Sequence, residues 1–157
     1  MPIPTLVQGW LPGGVYVCTI PEIRTHFAAG NVTSKRARLL RALEDHLASA
    51  VARQNVAHIL IDGSFVGSKP DPGDVDIVVG LRQGTLAALK GKGHGIQAAA
   101  MIEALEGRFT PTIDNKRAIH GFVDEVGGPI YNRYFRYFQQ STRMTEPASK
   151  GILRVDI

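Results

Sequence analysis

Two aspartates separated by a single residue, Asp74 and Asp76, are the residues of this sequence best placed to do chemistry. They open the stretch DVDIVVG (74–80), whose alternation predicts a strand. Residues two apart on a strand share a face, so both carboxylates point one way while Val75, Ile77 and Val79 point into a core. Their Cα atoms stand roughly 7 Å apart by the strand rise. Like charges this close raise each other's pKa, and a divalent cation removes that penalty. Hard carboxylate oxygens suit Mg²⁺ or Mn²⁺, which bind through one or two carboxylates together with substrate phosphates. Upstream, Gly63 and Ser64 follow a short apolar run, AHILI (57–61). A glycine there lets the backbone approach a ligand, and backbone amides with the Ser64 hydroxyl can hold phosphate oxygens. Lys69, in the loop between the two strands, adds positive charge toward the same phosphates. The two strand ends together fit a metal-bound nucleoside triphosphate. The neighbouring acids Asp62 and Asp71 read as turn residues.

The elements that must position these groups are readable in outline. Residues 1–14 are rich in Pro and Gly and predict an irregular arm, followed by a short strand at 15–20. Pro21 opens a turn of helix, PEIRTHF. Leu39, Leu40, Leu43, Leu47 and Val51 recur at steps of three and four, predicting one long helix to about residue 54, with Thr33 or Ser34 as N-cap. Residues 81–95 are ambiguous, because Gly84, Gly91, Gly93 and Gly95 interrupt any helix. A helix is expected over 96–108 and a strand over 118–126, with Gly121 its weak point. Tyr131, Tyr134, Phe135 and Phe138 predict a helix with one packed aromatic face, and GILRVDI a closing strand. From residue 31 the order is helix–strand–strand–helix–strand–helix–strand. That implies a single α+β domain over 1–157, a mixed β-sheet with helices packed on it rather than a doubly wound parallel sheet.

Composition narrows the class. The 157 residues carry 18 Lys and Arg against 14 Asp and Glu, a net charge of +4 that is too small to identify a nucleic-acid binder. With 44% hydrophobic and 20% charged residues the chain is globular, not disordered. No apolar run reaches the roughly 18 residues of a membrane span, and the N-terminus lacks the pattern of a secretory signal. The single cysteine, Cys18, excludes an internal disulfide and CxxC chemistry, so a cytoplasmic protein is expected. GSFVGSK is not a Walker A loop, GKGHG (91–95) lacks dinucleotide-binding spacing, and the five histidines show no zinc-ligand spacing. No GxSxG elbow supports nucleophilic hydrolysis.

The pattern of apolar strand, Gly-Ser, nine residues, Asp-x-Asp and apolar strand resembles that of the DNA polymerase β-type nucleotidyltransferase superfamily. More narrowly, LPGGVYVCTIPEI, DGSFVGSKPDPGDVDIVV and YFQQSTR…SKGILRVDI resemble a family of small bacterial nucleotidyltransferase-like proteins. The resemblance implies a minimal nucleotidyltransferase fold in which Gly63 and Ser64 bind the triphosphate while Asp74 and Asp76 bind catalytic Mg²⁺ or Mn²⁺. It further implies a third carboxylate on a later strand. That slot falls on or beside His120, with Asp114 before the strand and Asp124 at its end as the acids that fill it if the register shifts. An acid in the slot favours transfer of a nucleoside monophosphate from an NTP to an acceptor hydroxyl of a protein, an RNA or a small molecule. His120 in the slot, with no acid nearby, favours a module that binds nucleotide or metal without turnover, although a histidine can also serve as general base. The resemblance also implies a protein partner or a second copy, in a toxin–antitoxin or defence setting.

Overall fold

In a computed structural model, described for residues 3–30, 33–140 and 149–157, the chain forms a five-stranded mixed sheet flanked by helices, the α+β class expected. The strands are β1 (Gly14–Val17), β2 (Val56–Asp62), β3 (Val75–Leu81), β6 (Ile119–Glu125) and β7 (Gly151–Asp156). They lie in the order β1-β7-β2-β3-β6. β1 and β7 run parallel, as do β3 and β6, while β2 is antiparallel to both its neighbours. A separate hairpin, β4 (Thr112–Ile113) and β5 (Lys116–Arg117), precedes β6. The helices are α1 (Ile20–Phe27), α2 (Lys35–Ala48), α3 (Ala50–Asn55), α4 (Thr85–Gly91), α5 (Gly95–Leu105) and α6 (Pro129–Gln139). No helix among the described residues is long and apolar enough to cross a membrane.

The two faces of the sheet are covered unequally. Ile59, Ile61, Val75, Ile77, Val79, Ile119 and Leu153 face the larger core with Leu39, Leu43, Leu47 and Leu105 of the helices. Gly121 lies on this face, and a Cβ there would press on the backbone of Leu105 and Glu106. The expected weak point of the strand is where the end of α5 abuts it. On the opposite face, among the described residues, α6 is the one helix laid down, through Tyr131 and Phe138, over Leu60, Val78 and Ile152. Each of those two aromatic side chains contributes about 2 kcal/mol by burial.

Three local departures have physical causes. The long helix breaks at Ser49, whose hydroxyl donates to the His46 carbonyl and accepts from the Ala52 amide, ending α2 and capping α3 together. The ambiguous segment 81–95 holds the short helix α4, because the distant Glu125 carboxylate accepts from the amides of Gly84 and Leu86 at its start. Asp114 and Asn115, both at positive φ, make the tight turn of the β4–β5 hairpin, which was expected only as the lead-in to β6. Residues 141–148, including part of the YFQQSTR…SKG segment, lie outside the described residues.

Asp124 fixes where α6 starts. Its carboxylate accepts from the Ile130 amide at 2.8 Å and the Tyr131 amide at 3.2 Å, and its other oxygen from the Glu125 amide at 2.8 Å. The Ile130 and Tyr131 amides are donors a helix start leaves open. Asp124→Ala is expected to lower unfolding stability by about 1 kcal/mol, measured in urea melts, and to leave divalent-ion binding unchanged.

Candidate functional site

The register of three neighbouring strands assembles the site. Asp62 on β2 pairs with Asp76 on β3, and Asp76 pairs with His120 on β6. Directly opposed residues share a face of a sheet, so these three stand in one row. The next row along is Leu60, Val78 and Phe122, which α6 covers. The first row is left open as the floor of a cleft of about 420 Å³. Gly63, Ser64, Lys69, Asp74 and Lys116 also line it, with Trp10 and Tyr137 among its aromatic walls.

Asp74, Asp76 and His120 each bring one ligand atom to within 4.8 Å of the others, the one such group found among the described residues. The His120 Nδ1 lies 3.3 Å from Asp76 Oδ1. Bonds of about 2.1 Å put neighbouring ligands of a small octahedral ion about 3 Å apart and opposed ones about 4.2 Å apart, a spacing of the same order as this group's. The electrostatics point the same way. Burial first, and then the Asp74 charge, push the Asp76 carboxyl above its usual range, while His120 and Lys150 pull it back. A bound cation offsets both penalties.

The Gly63–Ser64 side of the cleft is held by backbone. Gly63 sits at φ 81°, and a Cβ there would overlap the Asp76 carboxylate. The loop after it opens with a short 3₁₀ turn, Ser64–Val66, anchored by the fully buried Phe65. Arg36 of α2 pins this loop. Its Nη2 donates to the carbonyls of Ser64 (3.1 Å), Gly67 (2.9 Å) and Lys69 (2.7 Å), and its guanidinium lies 5.9 Å from the Phe65 ring centre. The N-terminal arm closes the loop's other side, where the Ser68 amide donates to the Gly9 carbonyl.

Of the residues singled out from sequence, Gly63, Ser64, Lys69, Asp74, Asp76 and His120 come together in this cleft. The two alternative acids do not join the Asp74–Asp76–His120 group. Asp114, exposed at its hairpin turn, pairs with Lys35 at 3.1 Å and Arg38 at 3.7 Å, and Asp124 is occupied in starting α6. The hairpin consumes the chain that would have carried Asp114 inward. Asp124 lies four residues beyond His120 on β6, opposite Gly80 rather than Asp76.

Reading Asp62 as a turn residue is also corrected. It is the last residue of β2, 5% exposed, with Lys150 Nζ 3.3 Å from its carboxylate. Lys150 is equally buried and lies 5.2 Å from the Trp10 ring centre. Burial pushes the Asp62 carboxyl up to about 6 against the pull of Lys150. Lys150, Arg36, Lys116 and Trp10 were not singled out from sequence; Lys150 falls within the SKGILRVDI segment, and the other three sit in no local motif that marks them.

The chain belongs to a family of unknown function (DUF6932), which it matches over residues 4–156. No curated protein and no solved structure matches it.

Because the folded Asp62 carboxyl titrates above its unfolded value, the native state binds its proton more readily, and stability is lost as pH rises from about 4 to about 6. Lys150→Met moves that folded value higher still. The substitution is expected to cost about 3 kcal/mol at pH 8 and clearly less at pH 5, in urea melts at the two pH values. Gly63→Ala, strained and crowding Asp76, is expected to weaken divalent-ion binding by about tenfold or more in calorimetry.

Proposed function

We propose that this cleft binds a divalent cation and a nucleoside triphosphate as one unit, on the plan of the nucleotidyltransferases the sequence resembles. The observation that carries the reading is the Asp74–Asp76–His120 group lying in the same cleft as Gly63 and Ser64. Asp74, Asp76 and His120 are the residues that would hold the ion, and Mg²⁺ and Mn²⁺ are the ions considered. The ion supplies charge stabilisation at the phosphoryl oxygens when bound. The backbone at Gly63 and the Ser64 hydroxyl donate to the outgoing phosphates, and Arg36 keeps their loop in place. Lys69 and Lys116 line the cleft and add positive charge. The reaction that fits is transfer of a nucleoside monophosphate to an acceptor hydroxyl, with pyrophosphate leaving. In it the acceptor's proton passes to solvent, since His120 is taken up as a ligand of the ion.

A second reading, binding without turnover, has its own support. The third position holds His120, while Asp114 and Asp124 are engaged elsewhere. Of the two arrangements expected from sequence, this is the one that favours the binding module.

Incubation with α-labelled NTPs, Mg²⁺ or Mn²⁺, and cell lysate separates the two. Label transfer lost in both Asp74→Ala and Asp76→Ala is expected for the enzyme. Calorimetric NTP binding that needs metal and both aspartates, with no transfer, is expected for the module. If neither NTP nor metal binds, both readings fall.

A further inference from the structure

We infer that His120 makes this a site for a first-row transition ion, with Mn²⁺ bound in preference to Mg²⁺. The inference rests on the metal-binding reading above and extends it to the identity of the ion. His120 reaches the group from a different strand than Asp74 and Asp76, and the β3–β6 register sets it directly beside Asp76. A one-residue slip would turn the ring to the opposite face, so the row commits an imidazole to this position. The ring also packs 5.0 Å from Phe122, which is itself stacked on Tyr134 of α6 at 3.7 Å. The imidazole is therefore held by the same aromatic layer that seats α6, and it remains partly open to the cleft.

The donor set is two carboxylate oxygens and one imidazole nitrogen. Mg²⁺ demands near-ideal octahedral oxygen coordination and sheds its water reluctantly. An imidazole nitrogen is a poor exchange for that water, whereas transition ions gain from it. Mn²⁺ accepts carboxylate, phosphate and imidazole ligands alike, so it keeps the oxygens of Asp74 and Asp76 and adds the nitrogen of His120. The ring brings no negative charge, so the group carries two carboxylate charges rather than three. This weakens electrostatic capture of Mg²⁺ more than that of an ion that also binds the nitrogen. Ligation has a second consequence. A ring nitrogen given to the ion is no longer free to take a proton from an acceptor, which weighs toward binding over transfer.

Trp10 is the protein's single tryptophan and lines this cleft, so it reports on the site directly. Bound paramagnetic Mn²⁺ is expected to quench its emission, and Mg²⁺ added afterwards restores the emission as it displaces Mn²⁺. For the wild-type protein without nucleotide, half-displacement is expected to need an excess of Mg²⁺ over Mn²⁺ of about tenfold or more. His120→Asp and His120→Asn, each replacing the nitrogen by oxygen, are expected to lower that ratio several-fold, with far-UV circular dichroism checking that both fold. Equal displacement in the wild-type protein, or a ratio unchanged in whichever variants fold, overturns the inference and leaves the metal site standing. Binding of neither ion, or quenching retained in Asp74→Ala and Asp76→Ala, overturns the metal reading itself.

Discussion

The row of Asp62, Asp76 and His120 across three adjacent strands is the constraint around which the molecule is arranged. Carboxylates in neighbouring positions of a buried sheet repel one another and lose hydration. The fold answers this with a partner for each. The Lys150 ammonium, just ahead of β7, is buried against Asp62, and the His120 ring on the far strand stands 3.3 Å from Asp76. What remains is Asp74, one strand step away on the same side, whose charge still pushes Asp76 upward. That residual imbalance faces the cleft that Lys69 and Lys116 also line, where an external cation can correct it.

Among the described residues one helix, α6, covers this face. It packs over the Leu60–Val78–Phe122 row, and its Tyr137 and Phe138 reach the wall of the cleft above the acidic row. Its position is set by Asp124, which binds the amides of Ile130 and Tyr131. An acid that could have extended the Asp74–Asp76–His120 group instead holds the helix that bounds the cleft. On the other side of the sheet α1 to α5 bury the apolar residues of the same strands. Side chains alternating along β3 therefore serve both the core and the site.

What could be read from sequence divides by distance along the chain. The Gly63–Ser64 and Asp74–Asp76 pairs were legible because one loop joins them and strand alternation orients them. His120 was found as the occupant of a slot, since a short strand with few registers carries it. Asp62 was misjudged because its neighbours Gly63 and Ser64 look like a turn, and only Lys150, 88 positions later, shows that it is a strand end with a buried counter-ion. Arg36 sits in a helix with several other cations, and nothing local separates it from Lys35 or Arg38. Its role appears only when three carbonyls of a distant loop converge on its guanidinium. The split at Ser49 and the helix at 85–91 were missed for a similar reason, since a hydroxyl and a remote carboxylate supply what local propensity does not.

The most direct measurement is a crystal structure with Mn²⁺ and a non-hydrolysable nucleoside triphosphate, with data collected at the manganese absorption edge. The account predicts an anomalous peak within bonding distance of Asp74, Asp76 and His120, and triphosphate density against Gly63 and Ser64. A peak elsewhere, or nucleotide bound away from this row, would contradict it.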